Sequence, residues 1–146
     1  GDRDLLHLEG YLFKRNSNAF KNYVRRWFCI QGNQLVYRKR SKDILTIMEE
    51  DLRLCTIKQP SEFDRRFCFE VLSPTRSHIL QADSDEECLL WISALNASIS
   101  HAYKDTLQAV VDRGMQEGKR ASNTSSKDSN QADAPPADAK QSKARV

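Results

Sequence analysis

Nine basic side chains fall between residues 10 and 42 with no acidic residue among them: Lys14, Arg15, Lys21, Arg25, Arg26, Arg38, Lys39, Arg40 and Lys42. Arginine offers a planar fork of donors for phosphate oxygens, and lysine a mobile point charge. Tyr37 adds a hydroxyl donor to the same stretch. The chemistry these residue types suit is recognition of a phosphorylated anion. The rest of the chain is charged differently. Residues 1–9 carry net −2, residues 43–104 net −5 and residues 105–146 net +1, within an overall +3. A positive first third facing a negative remainder gives the molecule an orienting field toward an anionic surface.

Spacing sharpens this reading. Side chains of a strand alternate faces with period two. Leu12 and Lys14 then share a face, as do Ile30, Phe28 and Arg26, and Leu35, Tyr37 and Lys39. In an up-and-down meander, the end of strand one, the start of strand two and the end of strand three meet at one rim. Lys14, Arg26, Tyr37 and Lys39 converge there. The loop from Arg15 to Asn22 closes over the rim and brings Lys21. Such a rim suits a phosphorylated inositol. Phe20, beside Lys21 in this polar loop, either inserts at a membrane interface or packs back on the rim. Arg25 faces outward beside Trp27 and is read as structural.

The elements that must position these residues are short strands. They are expected at Leu8–Arg15, Tyr23–Ile30, Leu35–Arg40, Leu45–Met48, Leu52–Lys58, Arg66–Leu72 and His78–Gln81, separated by turn signals such as Gln31-Gly32-Asn33-Gln34. Phe67, Phe69 and Val71 alternate onto one face. The period then changes. Ser84-Asp85-Glu86-Glu87 fits a capping box, with Asp83 an equal candidate for the cap. Cys88, Trp91, Ile92, Leu95 and Ile99 follow at helical spacing, and this helix is expected to end between Ser100 and Gln108. The fold class is therefore mainly β with one helix: a seven-stranded antiparallel barrel or sandwich capped by a C-terminal amphipathic helix, with Trp91 as the anchor.

Composition divides the chain into an N-terminal flank (1–7), a folded domain (8–104) and a tail (105–146). Residues 117–146 contain no aromatic residue and are rich in Ser, Ala, Asp, Lys and Pro, so the tail is read as disordered. Within it, Lys119-Arg120-Ala121-Ser122 resembles a basophilic kinase site. No run of about 18 apolar residues exists to span a membrane, and the N-terminus has no signal-peptide core. Cys29, Cys55, Cys68 and Cys88 form no CxxC pair and are read as reduced core residues of a cytoplasmic protein. His7, His78 and His101 are scattered, without a paired nucleophile or ligand spacing, and no glycine-rich phosphate loop is present. The expectation is a binding module with no catalytic site, metal or cofactor. A nucleic-acid partner is disfavoured, because the helix starts acidic and most aromatics occupy core-type positions. A protein-interaction domain with weak, non-specific lipid binding is the alternative.

The stretches Glu9-Gly10-Tyr11-Leu12-Phe13-Lys14-Arg15, Arg25-Arg26-Trp27-Phe28, Leu35-Val36-Tyr37, Arg65-Arg66-Phe67-Cys68-Phe69-Glu70 and Leu80-Gln81-Ala82-Asp83-Ser84, with the lone helix Trp91, resemble a pleckstrin homology (PH) domain over residues 8–104. The runs Ser17-Asn18-Ala19-Phe20-Lys21 and Asp51-Leu52-Arg53-Leu54-Cys55-Thr56 are similar to the PH domain of the centaurin-beta (ACAP-type) Arf GTPase-activating proteins. The resemblance implies a module excised from a protein with a preceding BAR domain and a following zinc-binding Arf GAP domain and ankyrin repeats. It implies a phosphoinositide-binding, membrane-targeting role at endosomal or plasma membranes, and Arf GTPase as a partner through the parent protein. The PH signature carries onto Lys14, Arg26 and Tyr37. Val24 departs from it, since a basic residue usually stands two before the strand-two arginine. That departure favours broad, weaker binding of bis-phosphorylated lipids.

Overall fold

The computed structural model describes residues 4–16, 22–59 and 62–125. Two compact units divide the chain, Gly1–Asp105 and Thr106–Val146. In the first unit a 3-10 turn at Leu5–His7 leads into β1 (Glu9–Arg15), β2 (Tyr23–Gln31), β3 (Gln34–Arg38), β4 (Thr46–Glu49), β5 (Thr56–Lys58), β6 (Cys68–Leu72) and β7 (Ser77–Gln81). All pair antiparallel in one seven-stranded sheet of order β4-β3-β2-β1-β7-β6-β5. The first strand is thus interior, with β2 on one side and the last strand on the other. The helix α1 starts at Asp85.

Local chemistry explains these elements. Gly32 turns the β2–β3 hairpin at φ +61°, where a Cβ would be strained. Leu12, Phe28, Ile30, Leu35, Phe69, Val71 and Leu80 alternate inward and are buried. At the helix start the Glu87 N–H donates to Ser84 Oγ at 3.1 Å, and the Cys88 N–H to the Ser84 carbonyl at 2.9 Å, so Ser84 rather than Asp83 is the cap. Asp85, Glu86 and Glu87 in the first turn favour the positive end of the helix dipole. From there Cys88, Trp91, Ala94, Leu95, Ser98 and Ala102 form the buried stripe. Trp91 lies in one cluster with Leu8, Leu12, Phe28 and Leu95, and Ile92 and Ile99 pack at its margin. All four cysteines are free and buried, and burial pushes each thiol up from its ordinary value.

Three expectations are corrected. The stretch Leu52–Lys58 is not one strand: a 3-10 turn at Leu52–Leu54 precedes β5. Asp51 causes this, accepting from the Arg53 backbone at 3.0 Å and pairing with its guanidinium at 2.6 Å. The strand expected from Arg66 starts at Cys68, because Phe67 sits in the left-handed region at φ 65°. Its carbonyl accepts from the Ala82 N–H at 2.9 Å, and its ring packs on the core, which offsets the conformational cost. The helix does not stop between Ser100 and Gln108. Its backbone continues to Ser125, so 105–125, read as part of a disordered tail, is helical. Residues 106–119 are rich in good helix formers, and Gln108 Nε2 donates to Asp112 Oδ1 one turn on at 2.8 Å. Pro135 is the first proline in that direction. Ser122 falls within the helical backbone, and residues 126–146 lie outside the described residues.

Among the described residues Ser98 is the one buried polar side chain, 2% exposed, and its hydroxyl has no hydrogen-bond partner. Ser98→Ala removes an unpaired hydroxyl and substitutes a better helix former. Urea denaturation is expected to show a gain of about 1 kcal/mol; a loss would mean that the hydroxyl holds a partner in solution.

Candidate functional site

The rim where the β1–β2, β3–β4 and β6–β7 connections meet holds a basin of about 560 Å³. Lys14, Arg15, Tyr37, Thr46, Ile47, Met48, Arg76, Ser77 and His78 line it, and none of these is a carboxylate. Sheet order accounts for the gathering. β1 ends at Lys14 and Arg15, and β7 beside it runs antiparallel, with Lys14 opposite Leu80, so β7 begins at the same rim. On the other side Phe28 faces Tyr37, and Tyr37 faces Thr46 on β4. At the base of the β1–β2 connection the Asn16 N–H donates to the Asn22 carbonyl at 2.6 Å.

Lys14 is half-buried. Its Nζ donates to Asn16 Oδ1 at 3.3 Å and stands 5.6 Å from the centre of the Tyr37 ring. Burial pushes the Lys14 ammonium down from its usual value, and the Arg26 charge pushes the same way. The rim is therefore an unneutralised concentration of positive charge. Among the described residues, no ion pair joins Lys14, Arg15, Arg26 or Arg76 to an acid. His78 Nε2 lies 2.8 Å from Glu49 Oε2, which steadies its ring at the basin's edge. Ser77 Oγ donates to Glu70. Arg76 is exposed, and its backbone N–H and carbonyl are tied to Ser73, fixing the β6–β7 turn.

The residues expected at this rim fall into three groups. Lys14, Arg15 and Tyr37 line the basin together. Arg26 faces the same rim, close enough to lower Lys14, but its Nη1 donates to the Arg25 carbonyl at 2.9 Å and it does not line the basin. Lys39 lies beyond the end of β3, exposed and outside the lining. Lys21 and Phe20 lie outside the described residues. Arg25 stacks on Tyr11, with its guanidinium 3.6 Å from the ring centre, on the outward face where Tyr11 and Trp27 meet edge to face.

Sequence reasoning missed Arg76, Ser77 and His78. The signal was present in the turn Pro74-Thr75-Arg76. Placing that turn and His78 beside Lys14 depends on the pairing of the last strand with the first, which nothing local in the sequence encodes. The rim can hold an anion through two or three cations with the Tyr37 hydroxyl as a donor beside them.

Comparison with known proteins agrees with this architecture. The PH domain family model matches residues 6–100. The human "Arf-GAP with coiled-coil, ANK repeat and PH domain-containing protein 3" is 58% identical over 99 residues, covering 68% of this chain and 12% of that protein. Its rat namesake numbered 2 is 59% identical over 98 residues, covering 67% of this chain and 13% of that protein. The chain therefore spans only about an eighth of these relatives. Among solved structures, the PH domain of human pleckstrin homology domain-containing protein family A member 5 superposes with a TM-score of 0.54 at 25% identity, covering 63% of this chain and 75% of that one. Family match, strand order and capping helix agree, and the chain belongs to the PH domain family, non-catalytic modules, on the branch similar to the PH domains of ACAP-type Arf GTPase-activating proteins.

Proposed function

We propose that this chain is a phosphoinositide-binding module that recruits an Arf GTPase-activating protein to anionic cytoplasmic membranes, endosomal or plasma, where the parent protein meets Arf. The observation that carries this reading is the basin, whose lining contains no carboxylate, with Lys14, Arg15 and Arg76 around it and the Tyr37 hydroxyl as a further donor. The Lys14 ammonium, pushed down by burial and by Arg26, regains a favourable environment when a phosphate arrives. Binding is peripheral in this reading; among the described residues no helix is long and apolar enough to cross a membrane.

The basin is broad and open, and Val24 stands where a further cation would grip the ring. Moderate affinity for bis-phosphorylated lipids follows. Sedimentation with phosphatidylcholine vesicles, with and without phosphatidylinositol bisphosphate, tests the reading. Binding is expected only with the phosphoinositide, weakening steeply as salt rises, because exposed charges are screened within about 8 Å at physiological ionic strength. Backbone amide shifts on titration with soluble inositol trisphosphate should cluster at Lys14, Tyr37 and Arg76. Equal binding to both vesicles, with no clustered shifts, would favour a protein partner instead.

A further inference from the structure

The β3–β4 connection and the start of β4 turn apolar side chains outward at the same rim. Ile44 is 91% exposed, Ile47 53% and Leu45 37%. Ile44 is the most exposed large hydrophobic residue among those described. Single exposed apolar residues are ordinary on protein surfaces; three within four positions, beside a run of cations, are not. Lys39, Arg40 and Lys42 precede them, all exposed, and none is in an ion pair among the described residues. The turn itself is built. Arg38 Nη1 donates to the Ser41 carbonyl at 2.7 Å, and the Asp43 N–H to the Arg40 carbonyl at 3.0 Å, so Ile44 is held out rather than folded back. Thr46 and Ile47 belong to the basin wall with Lys14 and Arg76.

We propose that this connection is a membrane-insertion element: Ile44, backed by Leu45 and Ile47, enters the acyl boundary of an anionic bilayer while Lys39, Arg40 and Lys42 meet the headgroup layer. The inference rests on the basin's being a lipid-headgroup site. A bilayer fits better than a protein groove for three reasons. The cation-then-apolar order matches the bilayer's own layering of anionic headgroups over hydrocarbon. The long lysine and arginine stems reach back to the headgroups while the tip inserts. And Ile47 wall and basin open together, so a headgroup seated in the basin brings the same leaflet to Ile44.

Ile44→Ser is the direct test, because an almost fully exposed side chain supports no packing that its loss would damage. Against phosphatidylcholine–phosphatidylserine vesicles containing phosphatidylinositol bisphosphate, the variant is expected to bind about tenfold more weakly, the loss implied by leaving one isoleucine's apolar area in water. Its calorimetric affinity for soluble inositol trisphosphate should equal that of the wild type. A second variant, Ile44→Cys, carries an environment-sensitive fluorophore; the four native thiols are buried, so labelling is selective. Blue-shifted emission on vesicle binding, quenched by lipids brominated along the chain, supports insertion. Unchanged vesicle affinity of Ile44→Ser, or water-like emission from the bound label, overturns insertion while leaving the headgroup basin intact. Self-association of the wild type that Ile44→Ser abolishes, without change in vesicle binding, overturns it in favour of a second copy of the chain. A wild type that binds neither vesicle nor soluble headgroup overturns both readings together.

Discussion

Trp91→Ala is expected to lower stability by about 3–5 kcal/mol, the range for truncating a fully buried aromatic side chain. Trp91 is 1% exposed, the largest of the fully buried side chains, and shares one cluster with Leu8 and Leu12 before and within β1, Phe28 on β2 and Leu95 on its own helix. Its ring approaches β1 closely enough that a Cβ at Gly10 would stand 3.8 Å from Cζ2. Removing the ring opens a cavity against strands that are fixed by their ladders and cannot collapse inward. A domain's net stability is typically about 5–15 kcal/mol, so this one truncation removes a large share of it. Urea unfolding followed by circular dichroism measures the difference. A loss below about 1 kcal/mol would mean that the helix does not close the core.

Lys14→Ala should weaken phosphoinositide binding by about 2–3 kcal/mol, the worth of a charge-assisted contact or two, or roughly thirty- to a hundred-and-fiftyfold in affinity. The fold should not suffer. The Lys14 ammonium is held below its usual value by burial and by Arg26, which means that folding disfavours its charged form. That penalty is present at every pH below the lowered value and lifts only as the group deprotonates in the alkaline range toward 10.5. Removing the amine at neutral pH therefore removes a cost, and the thermal midpoint should hold or rise slightly. Lys14→Arg, which keeps the charge, should restore much of the affinity. Comparing vesicle affinity with thermal midpoint across the three proteins separates a binding residue from a structural one. Unaltered affinity in Lys14→Ala would remove Lys14 from the site.

What the residues alone disclosed follows from which interactions are local. Alternation along β1, β2 and β3, the Gly32 hairpin and the Ser84 cap are decided by neighbours a few positions apart, and the rim pair Lys14 and Tyr37 came with them. The missing half of the basin depended on the β1–β7 pairing, a contact between distant parts of the chain that period-two patterning does not encode. Arg76 and His78 were hidden for that reason. Lys39 illustrates the converse. Extending β3 to Arg40 keeps Lys39 in the inward row, but the strand ends at Arg38, whose guanidinium turns to the Ser41 carbonyl, and Lys39 is carried out of the row. Phe67 at positive φ contradicts the local preference of a bulky residue and is stabilised there by core packing and the Ala82 bond, neither of which is local in sequence.

The interior position of β1 has a consequence for how the molecule comes into being. Phe13 and Lys14 pair with Gln81 and Leu80, and Trp91, further on still, closes over Leu12. A chain leaving the ribosome can form the β1–β2–β3 meander early, since those pairings are local. The free edge of β1 then waits for β7, and the apolar row beneath it waits for the helix, through the time needed to synthesise everything between. During that interval a half-sheet with one unpaired interior strand is open to foreign strands, which is the setting in which chaperones act. Release of residues up to the buried helical stripe ending at Ala102 is thus the point at which the nascent domain first becomes able to seal itself.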